Sequence, residues 1–304
     1  MSVYHFMRYK WWFLGFLTAV TVVSILTVVL VGLDLGIDFV GGVRMEVGLE
    51  QPATVDDVRA VVNDNGVEDP VVQSVTGASG TSGFMITAEE MSEAQSDAIL
   101  ADLGSQYGIQ EGSTARETVG ASFGAETTNR ALLAMAIAVL VIIAYVSLRF
   151  EFKFALPAIF ALVHDVSLTL AIYSATNRLV TYATVAAILT ILGYSVHDTI
   201  VIFDRMRENA QTMKRETYGQ MTDLSIRQTL VRSINTSVST LLPLLAILIF
   251  GGPTLKDFAF ALTVGIVSGA YSTICVASPV ATVLKEREPQ YRKLAARADA
   301  VKGS

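Results

Sequence analysis

Six stretches of this sequence are long and apolar enough to cross a bilayer, whose hydrocarbon core takes roughly 20 residues of helix. They run over Trp11–Gly32, Arg130–Leu148, Ala155–Ala175, Leu179–Phe203, Ile234–Phe250 and Phe258–Leu284. Hydrocarbon offers the backbone no water to bond, so each must be an α-helix. Residues 33–128 contain no such stretch and are polar, charged and turn-rich, so they should fold in water. Only 16% of the 304 residues are charged, where soluble proteins average about 25%. The layout is a polytopic α-helical membrane protein. It divides into an N-terminus and first helix (1–32), an α+β extracytoplasmic domain (33–128), helices two to six (129–284) and a tail (285–304).

The first apolar run follows Arg8 and Lys10, as a signal peptide would. It is longer than a typical signal core and no small-x-small site closes it before Asp34, so an uncleaved anchor is expected. The single cysteine, Cys275, lies in the last helix, which excludes an internal disulfide and a cysteine-based metal cluster.

Basic residues set the orientation. Arg8 and Lys10, Arg149 and Lys153, then Arg205, Arg207, Lys214, Arg215, Arg227 and Arg232 lie in segments that must share one side. So do Lys285, Arg287, Arg292, Lys293, Arg297 and Lys302, which brings the total to 16 of the 22 Lys and Arg. The positive-inside rule puts both termini in the cytoplasm and residues 33–128 outside. That outer segment carries 17 acids against Arg44, Arg59 and Arg116. Such a charge excludes nucleic acid and anionic lipid as partners of this domain. It suits plain solubility or docking of basic or unfolded clients.

Within the outer segment, Val43–Leu49 alternates as a strand. Thr54–Gly66 reads as a helix capped by Thr54 with an apolar stripe of Val55, Val58, Val61 and Val62. Pro70–Thr76 and Phe84–Thr87 read as strands, Ser92–Tyr107 as a helix capped by Ser92, and Ser113–Val119 as a fourth strand. The order β-α-β-β-α-β is the ferredoxin-like pattern, which carries no function by itself.

Ionisable groups inside a bilayer are costly and are usually functional. The third helix carries His164 and Asp165, the fourth His197 and Asp198, and the fifth opens with Arg232. At about 1.5 Å per residue, Asp165 lies about 15 Å past Ala155, near mid-membrane. Asp198 and Arg232 each lie about 28 Å from the outer face, close to the cytoplasmic end, where they could pair. Two readings stand: an ion pair that only holds helices together, or a carboxylate whose proton occupancy the cation governs. The surroundings favour the second. Tyr194, Ser195, Asp198 and Thr199 share one face of the fourth helix, and Arg232, Ser233, Thr236, Ser237 and Thr240 share one face of the fifth. Facing each other, they would form a hydroxyl-lined seam. Ala261, Gly265, Gly269 and Ser272 on the sixth helix read as a close-packing surface. Adjacent His and Asp residues on a helix point about 100° apart, so His164 and His197 make poor chelators and no metal site is expected.

Four segments resemble the SecD/SecF family of the bacterial export machinery, in the resistance-nodulation-division superfamily. Gly36-Ile37-Asp38-Phe39-Val40-Gly41-Gly42 is similar to the family's G-I-D-F-x-G-G motif. Tyr194 to Asn209 (YSVHDTIVIFDRMREN) resembles its fourth-helix signature. Arg232-Ser233-Ile234-Asn235-Thr236-Ser237 resembles the opening of its fifth helix, and Ala161-Leu162-Val163-His164-Asp165 its third. The resemblance spans essentially the whole chain. It implies a SecF-like subunit that pairs with SecD into a twelve-helix unit. That unit would act on preproteins beside the SecYEG channel and the ATPase SecA in the bacterial inner membrane. It further implies proton passage at Asp198 and Arg232, with Asp165 as a candidate third relay group, the proton gradient as energy source, no cofactor and no enzymatic reaction. The motif residues Gly36, Asp38, Phe39, Gly41 and Gly42 would shape the join between first helix and outer domain, with Gly41 and Gly42 permitting the turn.

Two other functions fit part of the pattern. A small-molecule efflux protein of the same superfamily usually carries two six-helix halves and two outer domains in one chain, where this chain has one of each. A passive assembly subunit would tolerate loss of Asp198 and Arg232. An intramembrane hydrolase lacks a nucleophile–base pair.

Overall fold

A computed structural model describes residues 5–76, 82–110, 112–150, 152–213, 216–292 and 294. Five residues of the charge argument, Lys214, Arg215, Lys293, Arg297 and Lys302, lie outside them, as does most of the tail.

A short 3-10 turn at Phe6–Tyr9 leads into α1 (Lys10–Val31), and a single turn, α2 (Ile37–Val40), carries the chain into the outer domain. There follow β1 (Gly42–Gly48), α3 (Val55–Asp64), β2 (Val71–Thr76), β3 (Ser82–Ala88), α4 (Glu93–Tyr107) and β4 (Ala115–Val119). The strands form one antiparallel sheet in the order β2-β3-β1-β4. In β1 the period-2 pattern buries Val43, Met45 and Val47 against Val58, Val61 and Val62 of α3 and Ile99 and Leu103 of α4. Both helix starts follow from local chemistry. The Thr54 hydroxyl accepts from the Asp57 N–H while the Asp57 carboxylate accepts from the Thr54 N–H, and Ser92 and Gln95 repeat the exchange. The two hydrogen bonds with Thr54 hold the Asp57 carboxyl below its ordinary range. The edge strand β4 is exposed along most of its length.

The remaining chain is helical: α5 (Ala121–Arg149), α6 (Phe152–Ala175), α7 (Tyr182–Thr212), α8 (Tyr218–Phe250), and a last span made of α9 (Pro253–Ser272), a π-helical turn at Thr273–Ala277 and α10 (Ser278–Glu286). All six expected spans are present, and several run past the apolar stretch. At 31 residues α7 is about 46 Å long, and its charged last turns leave the hydrocarbon as helix. The π turn sits just before Pro279, which has no N–H to give. The Ser278 N–H instead reaches back five residues to the Thr273 carbonyl, and the Ser278 hydroxyl donates to the same oxygen at 2.8 Å.

The helices form two layers. The apolar windows of α6, α7 and the last span are 56%, 50% and 56% buried, whereas those of α1, α5 and α8 are 11%, 6% and 17% buried. Three helices thus make the centre, and three present Leu, Val, Ile and aromatic side chains outward. α9 lies against α7 so closely that a Cβ on Gly265 would fall 2.2 Å from Ile191 Cδ1.

Candidate functional site

The α6 carboxylate is the most enclosed charged side chain in the bundle. Asp165 has no exposed surface. Its Oδ2 accepts from the Ser195 hydroxyl of α7 at 2.7 Å and the Ser272 hydroxyl of α9 at 2.9 Å, and its Oδ1 accepts from Ser268 of α9 at 2.5 Å. One carboxylate thereby ties together all three central helices. The sequence reading found Ser195 but assigned the sixth-helix small residues to packing alone. Gly265 and Gly269 do pack, while Ser272, with Ser268 four residues before it, lines the carboxylate. A hydroxyl every fourth residue beside a glycine every fourth residue was the available signal.

Asp198 points to another neighbour. It is 4% exposed, and its Oδ2 accepts from the Ser233 hydroxyl of α8 at 3.0 Å. The expected ion pair with Arg232 is not formed: among the described residues no salt bridge joins the two, and Arg232 is exposed on the outer side of α8. Successive helical residues point about 100° apart, so the residue that faces α7 is Ser233 and its neighbour faces away. Arg232 bears on Asp198 only through its field.

Counted from the outer ends of α7 and α8, the positions stay close to the sequence reading. The long α7 and α8 put Asp198 sixteen residues from Tyr182 and fourteen from Thr212, and Arg232 fourteen from Tyr218 and eighteen from Phe250. Both lie mid-helix. Ser195 marks the level of Asp165 on α7, so Asp198 lies about one turn, roughly 4.5 Å, from that level.

The other seam residues divide between two interfaces. The Thr199 hydroxyl meets that of Thr273 at 3.2 Å, on the α9 side. Thr236 and Thr240 bond back to the Ser233 and Thr236 carbonyls of their own helix. The Tyr194 hydroxyl and Ser237 hydroxyl are buried without a hydrogen-bond partner among the described residues. His164 turns away from Asp165: its Nδ1 meets the Thr21 hydroxyl of α1 and its Nε2 the Tyr271 hydroxyl of α9, each at 2.8 Å. Nothing in the sequence reading singled out Thr21, Ser268, Tyr271 or Thr273. His197 is exposed.

The glycine motif lies where outer domain and bundle meet. Gly36 N–H donates to the Val180 carbonyl at 2.8 Å, and Val180 N–H to Asp34 at 2.7 Å. The buried Asp38 accepts from the Tyr182 N–H at the start of α7, at 3.2 Å, and lies 3.8 Å from the Arg44 guanidinium of β1. Gly41 and Gly42 have φ of +84° and +122°, and a Cβ on Gly42 would sit 2.4 Å from the Ala88 carbonyl oxygen. The turn therefore requires glycine.

Comparison with known proteins fits this layout. A family profile described as protein export membrane protein SecD/SecF, C-terminal, matches residues 100–287, and the SecD/SecF GG motif matches residues 29–53. The protein translocase subunit SecF of Streptomyces coelicolor is 33% identical over 299 residues, covering 96% of this chain and 79% of the relative. That of Escherichia coli O157:H7 is 34% identical over 285 residues, covering 93% and 88%. Among solved structures, SecDF from Thermus thermophilus, a translocon-associated membrane protein, superposes with a TM-score of 0.84 at 31% identity. The match covers 94% of this chain and 39% of that longer one.

Proposed function

This chain belongs to the SecD/SecF family of protein-export membrane proteins, and we propose that it is a SecF-like subunit that works with SecD. Together they would use the proton motive force to promote preprotein translocation and release through SecYEG, on the pathway driven by SecA. It is a multi-pass bacterial membrane protein. The proposal adds the inner membrane, both termini in the cytoplasm and a ferredoxin-like outer domain, a reading supported by the sheet order β2-β3-β1-β4.

The observation that carries the proposal is Asp198: a carboxylate buried mid-helix beside a single hydroxyl donor, within one turn of the level of a second buried carboxylate, Asp165. Such groups are costly in a membrane unless they serve transport. Asp165, Ser195, Asp198, Ser233 and the unused hydroxyls of Tyr194 and Ser237 would form the proton route.

A SecD partner is supported by what α8 leaves outside. Arg232, Asn235 and Ser239 are exposed on one face of a helix that must lie in hydrocarbon. Facing lipid, they would be unsatisfied; facing the helices of a partner, they find hydrogen bonds. Arg232 would then act across that interface.

The test is Asp198→Asn, which preserves shape and removes the titratable group. Export into energised membrane vesicles should lose its proton-gradient stimulation while the variant still co-purifies with SecD. Normal stimulation would remove Asp198 from the mechanism.

A further inference from the structure

At the end of the bundle that gathers the basic residues, a cavity of about 430 Å³ opens among five membrane helices. Arg149 closes α5, Arg207 lies on the last turns of α7 and Lys285 lies near the end of α10, and all three line it. The rings of Phe150, Phe154, Tyr218 and Tyr291 make up much of the remaining wall. This cavity lies apart from the Asp165 and Asp198 groups, and none of its residues enters the function proposed above.

The described cations around it differ in how they are paired. Asp204 meets Arg149 at 3.3 Å. Glu288 is shared by Lys153 at 2.8 Å and Lys285 at 3.2 Å, and Lys285 also lies over the Phe154 ring. Arg207 donates to the Arg149 carbonyl at 3.3 Å and has no carboxylate within 4.0 Å among the described residues. Among the described residues, Arg207 is thus a cation at this cavity that no carboxylate pairs.

The rim indicates what kind of anion fits. Leu148, which also lines the cavity, is 89% exposed and continues the outward apolar face of α5 that includes Leu140, Val141 and Tyr145. The mouth therefore opens toward the bilayer. A free phosphate would gain nothing from an apolar rim and ring walls. An anionic phospholipid would place its phosphate at the cations and its glycerol and first methylenes along Leu148 and Phe154. Basic pockets between membrane helices on the cytoplasmic side take such headgroups. We propose that this cavity binds the headgroup phosphate of an anionic phospholipid from the adjoining leaflet.

The test is native mass spectrometry of the full chain in neutral detergent, titrated with phosphatidylglycerol, phosphatidylcholine or inorganic phosphate. Phosphatidylglycerol should be retained at least about fivefold better than phosphatidylcholine, and Arg207→Ala and Arg149→Ala should each cost about fivefold of that retention, the scale of one basic residue at an anionic lipid. Arg207→Lys should restore most of it, and Arg130→Ala, at the opposite end of α5, should change nothing. Equal retention of the two lipids, or undiminished retention in Arg207→Ala, overturns the proposal. Release of phosphatidylglycerol by millimolar inorganic phosphate overturns it too, in favour of a site for the free anion.

Discussion

Asp165 is surrounded by three serine hydroxyls and, among the described residues, by no cation within 4.0 Å. An ionised carboxylate needs donors on both oxygens when buried, and a protonated one needs an acceptor for its own proton. A hydroxyl is both donor and acceptor and turns freely between the roles. The cage can therefore serve either form with little movement of heavy atoms, which suits a group that takes and gives a proton. Removing one hydroxyl by Ser272→Ala should destabilise the chain by about 1–3 kcal/mol, the usual cost of leaving a buried acceptor short of its donor. The loss would be read as a lower thermal midpoint in detergent, and an unchanged midpoint would mean the hydroxyl does not serve the carboxylate. At this scale the sequence was only partly legible. Charged residues in an apolar run announce themselves, so Asp165 and Asp198 were found. Their partners were not, because a serine in a membrane helix looks the same whether it bonds its own backbone, as Thr240 does, or a carboxylate on another helix, as Ser268 does.

Among the elements, local signals held up and neighbour relations did so only in part. The caps at Thr54 and Ser92 and the valine stripe of α3 are set by residues within one turn, and each lies where the pattern put it. Which helix packs on which is a tertiary matter. The expected seam faced α7 against α8, and the two do meet where Ser233 reaches Asp198, but α7 also packs closely on α9, which the sequence reading did not anticipate. Gly265→Ala should cost about 1–3 kcal/mol by overpacking, because the new methyl would meet Ile191 at 2.2 Å. Ile191→Ala removes the atoms it would meet, so the double variant should be more stable than the sum of the two single losses; strict additivity in thermal unfolding would argue that the two helices do not meet there. Glu288 lies just after α10. Burial opposes ionisation of Glu288, but the hydrogen bonds and charges of Lys153 and Lys285 outweigh it and hold the carboxyl below its ordinary value of 4.5. A depressed carboxylate stabilises the fold above its unfolded value and loses that contribution as pH falls through the folded one. Glu288→Gln should therefore lower the thermal midpoint at pH 7 and have progressively less effect as the pH is taken below about 4.5. An effect that is the same at both ends of that range would assign the loss to packing instead.

For the molecule as a whole, a proton event at Asp198 of the kind proposed would have to reach the outer domain. The motif Gly36–Gly42 is the place where the two are joined. β1 follows it without a linker, Asp38 bonds the first N–H of α7, and α5 begins against it: a Cβ on Gly124 would lie 2.7 Å from the Phe39 carbonyl oxygen and 2.9 Å from the Gly41 nitrogen. A shift of α7 would therefore pull directly on the turn that starts the outer sheet. The glycines were legible as a turn; that the turn is clamped between α5 and α7 was not, because no local pattern states what a glycine lies against. Gly124→Ala should push α5 off the motif while leaving both the carboxylate cage and the outer core intact. Protease should then cut residues 33–41 faster, and proton-gradient-stimulated export should fall although Asp198 is untouched. Gly15→Ala, where the new methyl meets nothing within 4 Å, is the matched control and should behave as the parent chain. If Gly124→Ala exports normally, the motif is a hinge that tolerates slack, and the coupling between α7 and the outer domain must run through another contact, such as the Gln73 amide on the Asn177 carbonyl at 3.0 Å.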